Sequence, residues 1–218
     1  MTAEPRYSQD PHDLCTHRAV EECAGCDLSD GLMCRFTTGD LVGFLVGFLP
    51  FGIAVVAGMI LGGYGWWLLG WLAIWILFFF VVEGRVLCSH CPFWAEEGRV
   101  LHCHANYGVI KLWKFRPGPM NRLEQGVFGV GAAVFGFYPI LFMILGGQWL
   151  LLAIAISAIA SWAINLRRNA CVRCINFSCP VNAVPKPLVD AYLRRNPLMR
   201  EAWEASGAPL ERVESEAP

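Results

Sequence analysis

Two long stretches of this chain carry no charge. Leu41 through Val82 is 42 residues without Asp, Glu, Lys, Arg or His, and Gly126 through Leu166 is 41 residues without any. A soluble core helix needs a solvated face, and stretches of this length have none. Each is about twice the roughly 20 apolar residues that cross a bilayer. Charged residues make up only 16% of the 218, well short of the roughly 25% of soluble domains. The spans also lack Cys and His. With no histidine inside a helix, a transmembrane b-type haem has no ligand, and with no Cys, His or acid there is nothing to pass an ion through the membrane. The first 40 residues lack an apolar run, so no signal peptide is expected. No phosphate-cradling glycine loop, nucleophile elbow or catalytic carboxylate pair is present. No catalytic residue is therefore assigned, and nothing points to nucleic acid.

What is there is written twice. Phe51-Gly52, six residues, then Met59-Ile60-Leu61-Gly62-Gly63 recurs as Phe135-Gly136, six residues, then Met143-Ile144-Leu145-Gly146-Gly147, at an offset of 84. After a slip of one residue, Arg85-x2-Cys88-x2-Cys91 recurs as Arg168-x2-Cys171-x2-Cys174 at an offset of 83. The glycines break each uncharged block into a hairpin, because Gly accepts positive φ without steric cost. This predicts spans at about 41–61, 66–82, 126–145 and 149–166. The expected fold is an all-α integral membrane protein with four transmembrane helices in two tandem hairpin repeats. Parallel repeats of this kind relate by an axis along the membrane normal. Pro50 and Pro139 fall inside the first and third spans at non-equivalent places.

The hairpin turns leave the N-terminus, the middle loop and the C-terminus on one side. All 17 Lys and Arg lie there, so the positive-inside rule makes that side cytoplasmic. The expected organisation is a Cys-rich arm at 1–40, a hairpin at 41–82, a Cys/His-rich loop at 83–125, a hairpin at 126–166, a Cys-rich segment with amphipathic helices at 167–207, and a disordered tail at 208–218. Residues 1–14 also read as a loose tail. The expected location is the cytoplasmic membrane, with both termini and every Cys and His on the cytoplasmic side. Thiols there stay reduced, which argues against a disulfide framework.

The ten cysteines form three groups: Cys23-x2-Cys26-x7-Cys34 with Cys15 upstream, Cys88-x2-Cys91-x11-Cys103, and Cys171-x2-Cys174-x4-Cys179. A Cys-x2-Cys pair lets two thiolates wrap one metal ion or one cluster corner. The candidate ligands are therefore Cys15, Cys23, Cys26, Cys34, Cys88, Cys91, Cys103, Cys171, Cys174 and Cys179. Three thiols fall one short of a tetrahedral site. The arm can use Cys15 as its fourth ligand; His102 and His104, flanking Cys103, and His90 inside the pair could complete the middle group, and the C-terminal group would draw on His12, His17, a middle-loop histidine, water or a partner. Arg85 and Arg168, each three residues before a pair, could supply charge beside thiolates.

Cys91-Pro92 closes its Cys-x2-Cys pair and Cys179-Pro180 closes its group, and a closing Cys-Pro is a feature of the bacterial ferredoxin run. The plan of hairpins feeding Cys-Pro groups resembles the membrane ferredoxin-type proteins that pass electrons from quinol toward periplasmic nitrate reductase or nitrous oxide reductase systems. Those carry Cys-x3-Cys-Pro; this chain has Cys-x2-Cys-Pro and Cys-x4-Cys-Pro, and no two-cluster ferredoxin segment. The resemblance implies iron–sulfur clusters at the membrane, a soluble or membrane redox partner, and quinone. Zinc is the alternative, since structural zinc sites tolerate uneven spacers and supply folding energy to small segments; the protein would then be an anchor or scaffold without a redox role. Trp66, Trp67, Trp71, Trp75, Trp149 and Trp162 read as bilayer anchors. The alternating basic and apolar stretch from Lys111 to Arg116 reads as a headgroup contact. Near the end, Asn196 as cap, Pro197 at the first helical position and Gly207 at the stop predict a short helix, preceded by another at about 187–195.

Overall fold

The computed structural model describes residues 11–23, 25–208 and 210. The expected loose segments at 1–14 and 208–218 lie largely outside these. The described residues form helices and turns without a strand, apart from an isolated antiparallel bridge between Val100 and Ile110.

Four helices are long and apolar enough to cross a membrane. The first, α1, is Thr38–Leu61, opened by the Thr37 hydroxyl accepting from the Asp40 N–H. The second runs helically over Gly65–His90. It comprises a 3-10 turn, α2 (Leu68–Ile76), a π-helical stretch over Leu77–Glu83, and a last turn, α3 (Gly84–Val86). The third, α4 (Arg122–Leu145), starts from a capping box in which Asn121 and Glu124 satisfy each other's backbone N–H. The fourth, α5, is Trp149–Asn169. The helices outrun the uncharged blocks at their charged ends, because caps and long basic side chains keep those turns solvated while the backbone stays hydrogen-bonded.

The packing crosses between hairpins. α1 lies most closely against α5, and the second span lies against α4, while α1 and α4 also touch. A compact apolar seam joins them, with Phe51, Val55 and Met59 of α1 against Phe142 and Met143 of α4 and Leu152 and Ala155 of α5. The two glycine turns abut: a Cβ on Gly146 would stand 2.7 Å from the Gly62 Cα. Gly63 and Gly147 carry the positive φ, at 83° and 65°. Much of the remaining apolar surface faces outward, as lipid contact requires; Trp66 is 85% exposed. Two of the expected anchors point inward instead. The Trp71 indole donates to the Phe135 carbonyl at 2.9 Å and that of Trp162 to the Phe44 carbonyl at 3.3 Å. A buried indole N–H needs a partner, and each finds one on a neighbouring helix.

At one end of the bundle, three separate segments fold into one body. Leu14, Leu28 and Leu32 from the arm pack with Phe93, Trp94, Leu101 and Val109 from the loop and with Ile175, Tyr192, Leu193 and Met199 from the C-terminal segment. The sequence suggested polar segments with little core of their own; together they share a substantial one. The two C-terminal helices, α6 (Lys186–Arg195) and α7 (Pro197–Ala205), close this cap. Pro197 takes the first turn and Gly207 the stop at φ 81°, as expected. Asn196 departs from expectation. It makes no side-chain cap and is fully buried, because its amide is committed to the arm. Within the Lys111–Arg116 stretch, Lys111 Nζ donates to the Glu96 carbonyl at 2.5 Å and the Trp113 carbonyl accepts from Trp94 at 2.8 Å, while Leu112, Trp113 and Lys114 are exposed.

Candidate metal centre

The ten cysteines are all free thiols, and the fold sorts them into four and six. Cys15 opens a 3-10 turn, Cys23 closes the next, and Cys26 and Cys34 follow in the loop before α1. The Cys26 N–H donates to the Cys23 carbonyl at 3.0 Å, which folds the pair into one turn. All four line one half-open cavity of about 530 Å³. Burial pushes the Cys34 thiol up to about 12, and the neighbouring Cys15, Cys26 and Cys23 add to it.

The middle and C-terminal triads are neighbours in the cap: Cys179 packs against the cluster of Val86, Leu87 and Met120, and the Asn176 amide lies 3.5 Å from the Leu87 carbonyl. Cys91 is raised well above its ordinary value by burial first, then by Cys103 and Cys174. Cys174 is pushed to about 12 by burial, against a backbone N–H from Asn176, with Cys103, Cys179 and Cys171 adding to the rise. Cys179 reaches about 11 by burial, opposed by the Val181 N–H. Thiols from the two triads thus act on one another across the chain. Their sulfurs accept N–H groups from Phe93, Ala105, Asn106, Asn176, Val181 and Asn182. Oriented N–H donors favour thiolate over thiol. The turns are local: Cys91 N–H to the Cys88 carbonyl at 2.9 Å, and Asn182 N–H to the Cys179 carbonyl at 2.9 Å.

Among the described residues, no three His, Cys, Asp or Glu side chains converge as a single metal ion requires. Thiolates around one zinc sit about 2.3 Å from it and nearly touch each other. The arm's four thiols line a half-open cavity together with Arg18, Arg35 and Arg195. A set of ten thiols is of the donor type that suits a soft metal.

His102 Nδ1 is 2.8 Å from Glu96 Oε2, and its ring packs near Phe36 and Tyr107. His104 lines a second cavity, of about 270 Å³, with Asp40, Phe44, Trp162, Asn165 and Asn169. His90 meets the Gly118 carbonyl at 2.6 Å and Glu124 at 3.4 Å. His17 Nε2 lies 2.9 Å from the Pro92 carbonyl, and His12 stacks near Phe115. Arg85 turns to Glu124 at 3.5 Å and lies over the Trp113 ring. Other cations reach the sulfurs: Arg35 donates to Cys23 Sγ at 3.0 Å and Arg195 to Cys26 Sγ at 2.9 Å, while Arg167 acts on Cys171.

Three further residues escaped the sequence reading. Asn196 accepts from the Cys15 N–H at 2.7 Å and donates to Cys15 Sγ at 3.3 Å and to the Tyr192 carbonyl at 2.7 Å. Asn106 Nδ2 sits 3.5 Å from Cys88 Sγ and 3.4 Å from Glu83 Oε2. Glu83 acts electrostatically on Cys88, Cys103 and Cys179. Its signal was its place as the first charge after the second span; Asn106 stands three residues after Cys103 as Asn182 does after Cys179, and Asn196 read as a helix cap. No protein-family model, curated protein or solved structure matches the chain.

Proposed function

We propose that this is a membrane-integral electron-transfer subunit that holds iron–sulfur clusters in a cytoplasmic cap and links a redox partner to the quinone pool or to a membrane complex. The observation that carries the reading is the sorting of all ten cysteines into two thiol groups within one cap at the end of a four-helix bundle. Bound there, such clusters would supply one-electron chemistry; the chain supplies thiolates, N–H donors and exclusion of water. The arm would use Cys15, Cys23, Cys26 and Cys34, and the second group would draw on the middle and C-terminal triads together. His102 and His104 are then not needed as ligands.

The membrane half reads as two tandem hairpin repeats. The crossed pairing of α1 with α5 and of the second span with α4 is what a twofold axis through the α1–α4 contact would produce. The placement of the basic residues supports a cytoplasmic cap by the positive-inside rule. The quinone side rests on the 270 Å³ cavity at the α1–α5 ends, where Phe44 and Trp162 meet Asp40, His104 and Asn165. Met33, Asp40 and Arg173 line this cavity and the four-thiol one alike.

Zinc is the competing occupant, because the buried Cys88-x2-Cys91 turn suits a zinc knuckle equally well. Anaerobic purification with metal and sulfide analysis decides. A brown protein with iron and acid-labile sulfide supports the proposal; a colourless protein holding only zinc refutes it.

A further inference from the structure

The two thiol groups sit in different electrostatic surroundings. In the arm, three of the four sulfurs each take a side-chain N–H: Cys23 from Arg35, Cys26 from Arg195 and Cys15 from Asn196. Two of these donors are cationic. In the six-thiol group the donors are neutral, namely backbone N–H groups and the Asn106 amide. The guanidinium nearest that group acts on Cys171 alone. Cys88 and Cys91 are buried, whereas the other four of that group and all four of the arm are partly exposed.

Cluster potentials are set by net charge, hydrogen bonds to sulfur and solvent exposure. Reduction adds negative charge. Cationic donors stabilise the reduced form, and burial, as at Cys88 and Cys91, destabilises it. The excess of guanidinium donors at the arm's sulfurs therefore favours reduction there.

We infer that Arg35, Arg195 and Asn196 are positioning residues that hold the arm's centre at a higher reduction potential than the six-thiol centre, which makes the arm the receiving end of the relay. The inference rests on the iron–sulfur reading proposed above. It also gives the α6–α7 junction a purpose. Arg195 and Asn196 are adjacent, and they reach two different cysteines of a segment some 170 residues earlier in the chain. Folding of the C-terminal helices therefore delivers the donors that tune the N-terminal site.

Arg195 and its partner Asp27 are both well exposed, at 42% and 76%, so changing either leaves the fold intact. Arg35 also holds the Arg18 and Ala19 carbonyls, which makes it a poorer probe. The test is an anaerobic potentiometric titration of the whole protein in detergent, followed by electron paramagnetic resonance. The arm's signal is identified as the one lost on Cys26→Ser. In the unmodified protein that signal should have the higher midpoint. Arg195→Gln should lower its one-electron reduction constant on the order of threefold, about 28 mV at 59 mV per decade. Arg195→Lys should restore most of it. Asp27→Asn should shift it the opposite way, which a merely structural role would not do. The six-thiol signal should stay in place throughout. An arm midpoint below the other, or one unmoved by Arg195→Gln and Asp27→Asn, overturns the inference and leaves the iron–sulfur reading standing. A chain that carries zinc and no iron overturns both.

Discussion

The abutting glycine turns offer a clean test of how the two hairpins are joined. Gly146 has φ −83° and ψ 0°, a conformation open to any residue, so Gly146→Ala carries no backbone strain of its own. Its cost is steric. The new methyl would lie 2.7 Å from the Gly62 Cα and 3.0 Å from the Gly62 carbonyl oxygen, where carbon contacts optimise at about 3.5–4.0 Å. Backbone atoms cannot rotate away, so the turns must part by roughly 1 Å, and a gap of that order forfeits about a quarter to a half of each dispersion contact around it. Overpacking of this kind costs about 1–3 kcal/mol. Two controls separate the contact from other effects. Gly136→Ala meets nothing within 4 Å and should be neutral or slightly stabilising, since Ala exceeds Gly in helix propensity by about 1 kcal/mol. Gly147→Ala has open space around it but φ 65°, so its loss of about 1–2 kcal/mol would come from conformation alone. Thermal scans of tryptophan fluorescence in detergent would rank the variants. A Gly146→Ala protein as stable as the parent, or no more damaged than Gly136→Ala, would refute the turn-to-turn packing.

Tyr192→Phe removes the buried hydroxyl pair with Thr16, 2.6 Å apart, and should lower stability by about 1 kcal/mol in a denaturant titration. Asn196→Ala strips partners from the Cys15 N–H and the Tyr192 carbonyl, a loss of about 1–3 kcal/mol, visible in the same titration as a larger fall. Cys91→Ser and Cys174→Ser belong to different sequence triads but one spatial group, so each should lose the same complement of metal while Cys15→Ser loses another; three distinct losses by metal analysis would break the four-and-six partition. The reduced, chelated protein should weaken as pH rises. Cys34, Cys174 and Cys179 sit at about 12, 12 and 11, above the ordinary 9.0. Their stabilising contribution is therefore intact below pH 9 and lost progressively toward pH 12. Melting temperatures at pH 8 and pH 10 check this, and equal values would refute it.

The membrane half was largely legible because lipid imposes a rule that composition obeys. Uncharged runs of the right length, broken by Gly62-Gly63 and Gly146-Gly147, are enough to find four spans and two turns. Their ends were read short, as at Gly126 against Arg122, since capping by Asn121 and Glu124 extends a helix beyond its apolar stretch. Which helices touch was not legible; nothing in α1 announces α5. The cysteines were recognisable as ligand types, but their grouping was not. Spacing reports local turns such as Cys88-x2-Cys91, and the meeting of Cys91 with Cys174 is a product of the whole cap. Asn196 shows the same limit from the other side. Its place before Pro197 reads as a cap, and only the arm folded beneath it reveals a different task.

The π-helical stretch over Leu77–Glu83 accounts for the slip in the repeat. From Gly63 to Arg85 is 22 residues, and from Gly147 to Arg168 is 21, so the first returning arm carries one residue more. In an ordinary α-helix an added residue turns everything below it by about 100°. A π turn takes up an extra residue locally, and α5 has no such stretch. The first hairpin thus accommodates an insertion without losing its aim, and Cys88 and Cys91 still arrive facing the thiols of the second. The widened turn works as a register correction, so that the longer returning arm still delivers the Cys88-x2-Cys91 turn to the cap.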